Sequence, residues 1–100
     1  MKKISLEEFK SSLSRVEPPE DFSEQEKALW FAAKGNWDKA HLIVQDLNDQ
    51  LSYNIHAFLH RQEGDHSNAG YWYQKAGVKM PDISLDREWE EIVSRLDINK

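Results

Sequence analysis

An internal offset of 29 residues is the feature that most constrains how this chain can fold. Between residues 24–47 and residues 53–76, four pairs of identical residues share this offset: Gly35 and Gly64, Ala28 and Ala57, Ala40 and Ala69, Gln45 and Gln74. In each half a small residue, Ala28 or Ala57, lies in the segment before the glycine. A polar residue that can cap a helix, Asn36 or Asp65, directly follows the glycine. The pattern predicts two helical hairpins of one kind, whose helix axes approach closely at the alanines.

Start and stop signals around the repeat predict the remaining segments. Ser5 with Glu8, and Ser23 with Glu26, have the spacing of capping boxes, while prolines and glycines follow the apolar stripes. We therefore predict an all-α fold of about six helices in a single helical domain spanning residues 1–100. The segments are an N-terminal helix over 5–16, a linker over 17–22, hairpin 1 over 23–47, hairpin 2 over 50–77, and a C-terminal helix over 84–97.

Composition excludes several classes of function. The net charge of −5 and the scattered lysines and arginines argue against nucleic acid as a partner. The chain has no cysteine, which excludes disulfides and thiolate chemistry. It also lacks an apolar run long enough to cross a membrane and the apolar segment of a signal peptide. We expect a cytoplasmic protein without nucleic-acid or membrane partners.

The spacing in hairpin 2 resembles that of the tetratricopeptide family. The positions of the family pattern fall on Tyr53, His56, Ala57, His60, Ala69, Tyr73, Ala76 and Pro81. The residue types depart at His56 and His60, where the family has apolar or aromatic side chains. Hairpin 1 matches at Ala28, Phe31, Ala40 and Leu47 but not at Glu24 and Lys27. The offset of 29 is also shorter than the family's period of roughly 34.

Two further resemblances concern the same region. The segment "AGYWYQKAG" resembles a Sel1-type repeat. The segments "ALWFAAKGNWDKAH" and "HAFLHRQEGDHSNAGYWYQKAG" are similar to a group of small bacterial proteins, a likeness that implies no activity. Tetratricopeptide-like hairpins stack and offer a groove, so the resemblance implies a non-enzymatic helical-repeat module that binds a protein or peptide, with the terminal helices as caps. Two repeats also leave stackable surface, so a homodimer is an alternative.

A metal-dependent or histidine-dependent enzyme is the competing hypothesis. His56 and His60 are four residues apart and share a helix face, with Glu63 one turn further on, and such a set can bind a metal ion. The HExxH pattern of metalloproteases is absent, because Ala57 follows the first histidine. A further ligand would have to come from His41 or Asp65. The leading expectation therefore includes no metal and no cofactor.

Polar and aromatic residues of the second hairpin predict a ligand or partner surface. Its candidate members are His41, Tyr53, His56, His60, Arg61, Glu63, Asn68, Tyr71 and Trp72. A small-ligand site and a purely structural network are both open, since buried polar groups must be paired. In the network, the histidines would bond to Tyr73, Asn68 or a backbone carbonyl, and Arg61 would pair with Asp65.

Tryptophans and acidic residues complete the expectations. Trp37, Trp72 and Trp89 lie on apolar stripes and are expected in the core. Trp30 either anchors an exposed interface or packs against the N-terminal helix. The acids of "DREWEEI" are expected on the solvated face of the last helix.

Overall fold

A computed structural model describes residues 4–96, which form six helices. They are α1 (Leu6–Ser12), α2 (Glu24–Ala33), α3 (Trp37–Val44), α4 (Gln50–Gln62), α5 (His66–Ala76) and α6 (Leu85–Leu96). Residues 4–96 contain no strand, and the predicted all-α class is confirmed. Residue 97, the predicted end of the last helix, lies outside the described residues. In the described part of the chain no helix is both long and apolar enough to cross a membrane.

The predicted helix starts are confirmed at the level of individual hydrogen bonds. Ser5 and Ser23 each accept a bond from the backbone N–H three residues on, and Glu8 and Glu26 accept from the backbone N–H of those serines. The side chains of Asn36 and Asp65 cap α3 and α5 in the same way. These contacts satisfy N–H groups that a helix leaves unpaired at its start.

The turns at Gly35 and Gly64 have the same backbone geometry, as the 29-residue offset predicted. Both glycines have positive φ, 81° and 85° respectively. The N–H of Asn36 donates to Phe31 O, and the N–H of Asp65 donates to His60 O, each over 2.9 Å. This is the Schellman ending, in which the residue after the helix adopts the left-handed conformation that glycine takes without strain.

The N-terminal helix ends four residues earlier than predicted, at Ser12 rather than residue 16. Val16, at the predicted end of this helix, lies beyond α1 and is 93% exposed. Two side-chain donors, one in α2 and one directly after it, explain the early end: Trp30 Nε1 donates to Ser12 O over 3.2 Å and Lys34 Nζ to Leu13 O over 2.7 Å. Side chains thus satisfy carbonyls that a longer helix would have used itself. Trp30 is buried against this segment, which decides between its two predicted roles.

The core lies between α4 and its neighbours, with α1 and α6 packed alongside. Ala57 and Ala69 are fully buried in one apolar cluster with Tyr73, as close helix packing requires. On the other side Trp89 is buried and donates its indole N–H to Leu29 O over 2.9 Å. Of the other predicted core tryptophans, Trp37 and Trp72 are only partly buried, because they line the site described below.

One acid of α6 is buried, contrary to the expectation of a fully solvated acidic face. Glu88 is 2% exposed and accepts bonds from Arg61 Nη1 over 2.7 Å and from Tyr73 Oη over 2.5 Å. Arg61 also donates to Ile83 O. The expected Arg61–Asp65 pair is therefore wrong, because a buried carboxylate needs a charged partner far more than an exposed one does.

Candidate functional site

Three histidines from two helices meet in one place. His41 comes from α3, and His56 and His60 come from α4; we call these three residues the histidine cluster. The Nε2 atoms of His56 and His60 are 3.1 Å apart. One ring nitrogen from each of the three histidines lies within 4.8 Å of the other two. The spacing of four residues puts His56 and His60 on one face, and the packing of α3 on α4 adds His41.

Two tryptophans form the walls of the histidine cluster. Trp72 stacks on His56 with centroids 3.9 Å apart and 12° between the planes. Trp37 stacks on His41 at 4.8 Å and 10°, and meets His60 edge-on at 5.7 Å. The indole N–H of Trp37 donates to Leu59 O over 2.7 Å, which fixes this wall to α4. The two tryptophans therefore pack against all three histidines.

Glu63 holds the outer nitrogen of His60. Its Oε1 atom lies 2.6 Å from His60 Nδ1, so a proton on Nδ1 is donated to the carboxylate. With Nδ1 engaged, the Nε2 atom of His60 faces His56. Glu63 thus orients a histidine, whereas the sequence analysis placed it beside His56 and His60 as a possible metal ligand.

Burial makes two members of the cluster poor bases. Desolvation lowers the pKa of His56 to about 4, and the nearby positive charges that His41, His60 and Lys75 can carry act in the same direction. Desolvation and His60 lower the pKa of His41, partly opposed by Glu63 and Asp38. Both rings are therefore neutral near pH 7, with a lone pair on one nitrogen.

A second surface adjoins the cluster through Trp72. Tyr53, Tyr71 and Trp72 form what we call the aromatic face, with ring centroids of Trp72 at 5.8 Å from Tyr53 and 5.1 Å from Tyr71. The ammonium of Lys75 lies 4.9 Å, 5.9 Å and 5.0 Å from the centroids of Tyr53, Tyr71 and Trp72. These distances are those of cation–π contacts. Tyr71 is 57% exposed, so this face is open to a partner.

The structure brings most of the predicted surface residues into one run of contacts. Seven are linked in this way: His41, Tyr53, His56, His60, Glu63, Tyr71 and Trp72. Arg61 lies instead with Glu88, and Asn68 sits in the first turn of α5, where Asp65 caps its backbone N–H. Tyr73 is not a partner of the histidines, because its hydroxyl is bound to Glu88.

Two contributors were missed by sequence reasoning, Trp37 and Lys75. Both had a local signal. Trp37 precedes His41 by four residues, and Lys75 follows Trp72 by three and Tyr71 by four, which are the spacings that bring helical side chains together. Comparison with models of protein families, with curated proteins and with solved structures finds no significant match. The function of the site must therefore be inferred from its geometry.

Proposed function

We propose that the chain is a small non-enzymatic module that binds a peptide or protein segment on the aromatic face. The observation that carries the proposal is the exposure of Tyr71, 57%, on a surface where its ring packs against Trp72. Tyr53 and Trp72 are half-buried, and Lys75 lies against all three rings. Rigid aromatic side chains beside solvent are the usual anchors of protein interfaces.

Charge indicates the chemistry of the segment. Lys75 provides a positive charge at the aromatic face of a chain whose net charge is −5. The aliphatic part of the Lys75 side chain and the aromatic rings lie on one side of the ammonium group. Its N–H groups on the other side are therefore directed to solvent or to a ligand. A segment with a carboxylate next to an apolar side chain would pair with Lys75 and cover Tyr71 at once. Such a segment matches both features of this surface.

Fold-level similarity gives weaker support. The proposal takes α2–α3 and α4–α5 as tetratricopeptide-like hairpins with α1 and α6 as caps, in a cytoplasmic protein. The two equivalent glycine turns, separated by 29 residues, favour this view. That the hairpins superpose along their whole length stays a prediction. Hairpins of this family present helix faces to peptides, although a fold by itself does not define a function.

A peptide-library selection tests the proposal. Immobilised wild-type chain is panned against a random peptide library, and each selected peptide is measured again on Tyr71→Ser and Lys75→Ala. We expect peptides enriched in acidic and apolar residues whose affinity falls at least about tenfold on either variant. The matched control is Val16→Ser, which removes an apolar side chain exposed 93% outside this face.

Two results would overturn the proposal. One is a selection in which no peptide distinguishes wild type from Tyr71→Ser. The other is a concentration-dependent dimer in sedimentation equilibrium that Tyr71→Ser abolishes and Val16→Ser retains, which would assign the aromatic face to a second copy of the chain.

A further inference from the structure

The histidine cluster has the donors that a transition metal ion requires. In a tetrahedral zinc site with Zn–N bonds of about 2.0–2.1 Å, neighbouring ligand nitrogens are separated by about 3.3 Å. The Nε2 atoms of His56 and His60 are already 3.1 Å apart, and a nitrogen of His41 is within 4.8 Å of both. A small movement of the His41 ring would complete three corners of a tetrahedron.

From this convergence we infer that His41, His56 and His60 form a three-histidine site for a divalent transition metal ion, with zinc as the ion that fits best. Neutral imidazoles suit zinc, and zinc accepts a tetrahedral arrangement of three histidines and one water. This assignment is independent of peptide binding on the aromatic face.

The surroundings of the cluster match those of metal-binding histidines. Such histidines almost always donate their second ring N–H to a carboxylate or carbonyl, which orients the ring. Glu63 provides that carboxylate for His60 at 2.6 Å. His56 and His60 are about 5% and 6% exposed, whereas His41 is only partly buried. The His41 side is therefore the route by which an ion and a fourth ligand would reach the site.

A second group of potential ligands competes for the same ion. His60, Glu63 and Asp65 also have donor atoms within 4.8 Å of one another. Asp65 and Glu63 are exposed, however, and Asp65 is already the N-cap of α5 through Asn68 N–H. Glu63 is directed at the Nδ1 atom of His60, away from the Nε2 atom that meets His56. The geometry therefore favours the three-histidine set, with Glu63 as its positioning residue.

Calorimetric titration with zinc chloride tests the assignment. The chelator-treated chain should bind one Zn²⁺, and His41→Ala should weaken binding by more than the roughly 10–100-fold expected for Glu63→Gln. His66→Ala is the matched control, because His66 is exposed at the start of α5. This variant should bind Zn²⁺ as tightly as the wild type. Circular dichroism of each variant shows whether the fold is kept.

Cobalt spectroscopy of the wild type gives a second reading that needs no variant. Replacement of zinc by Co²⁺ should give the intense visible bands of a tetrahedral ion. Equal Zn²⁺ affinity in His41→Ala and wild type would overturn the inference. So would loss of binding in Asp65→Asn, which still caps a helix, or the weak bands of an octahedral cobalt ion held by surface groups. Tyr71→Ser should bind zinc normally, which keeps this test separate from that of peptide binding.

Discussion

The imidazole of His56 lies flat against the indole of Trp72, with centroids 3.9 Å apart and 12° between the planes. This contact joins α4 to α5 and is the point where the histidine cluster meets the aromatic face. The imidazole also touches His41 edge-on at 4.8 Å. A change at Trp72 itself is therefore expected to reach the histidine cluster, through its contact with His56.

Acid should destabilise the metal-free chain through His56. Its pKa in the folded state is about 4, below the value near 6.5 of an unfolded chain, because the ring is desolvated and faces His41, His60 and Lys75. The unfolded state therefore binds more protons between these two pH values, and stability is lost as the pH falls through them. The loss should reach at most about 3 kcal/mol from this residue, measured by urea unfolding from pH 7.5 to 4.

Two variants test whether His56 causes this slope. His56→Phe keeps a ring against Trp72 but cannot be protonated, so its stability should depend less on pH over the same range. His66→Ala, which removes an exposed histidine, should follow wild type. A slope in His56→Phe as steep as that of wild type would show that the acid sensitivity arises elsewhere.

Removal of Arg61, the ion-pair partner of the buried Glu88 carboxylate, should cost more stability than removal of Lys10, the partner of the more exposed Glu90. Arg61→Met leaves a charge that is 2% exposed without its cation, which should cost about 3–5 kcal/mol in free energy of unfolding. Tyr73→Phe removes one bond to the same carboxylate and should cost about 1.5–3 kcal/mol. Burial and the bond to Glu88 raise the pKa of Tyr73, so its hydroxyl remains a donor at neutral pH.

Lys10→Met is the control for this comparison. It breaks an ion pair with Glu90 whose side chains are 48% and 37% exposed, and should cost less than about 1 kcal/mol. Equal losses for Arg61→Met and Lys10→Met in urea unfolding would refute the ranking of the two pairs.

Two glycine-to-alanine changes should shift stability in opposite directions. Gly64 has φ of +85°, so alanine there should cost about 1–2 kcal/mol. Gly70 lies within α5, and an added Cβ would meet only Met80 Cε at 4.0 Å. Alanine at Gly70 should therefore stabilise the chain by about 0.4–1 kcal/mol. The melting temperatures of both variants test this prediction. A change of melting temperature in the same direction for both would show that backbone conformation does not determine the effect.

Local signals explain what the sequence could predict. The capping residues Ser5, Ser23, Asn36 and Asp65 act within four residues of themselves, and so their helix starts were predictable. Contacts distant along the chain explain the misses. Glu88 is buried because Arg61 reaches it from 27 residues away, and α1 ends early because Trp30 takes a carbonyl 18 residues away. No local pattern contains these partners.

The candidate site likewise has one part that local spacing predicted and one part that depends on contacts distant along the chain. The shared face of His56 and His60 follows from their spacing of four. The structure directs that face toward Trp72 of α5 and His41 of the first hairpin. Of the alternative partners Tyr73, Asn68 and a backbone carbonyl, Tyr73 is wrong, because its hydroxyl donates to Glu88. Glu88 belongs to α6, which the repeat pattern does not describe.

Proton NMR of the His56 ring measures most directly whether this histidine is buried against Trp72. We expect cross-relaxation between the ring protons of His56 and Trp72, upfield shifts of the His56 protons from the indole face, and a titration midpoint of about 4. Trp72→Leu should remove the upfield shift and raise the midpoint. A His56 ring that titrates at about 6.5, without contacts to Trp72 and unchanged in Trp72→Leu, would show that His56 is not buried against this indole.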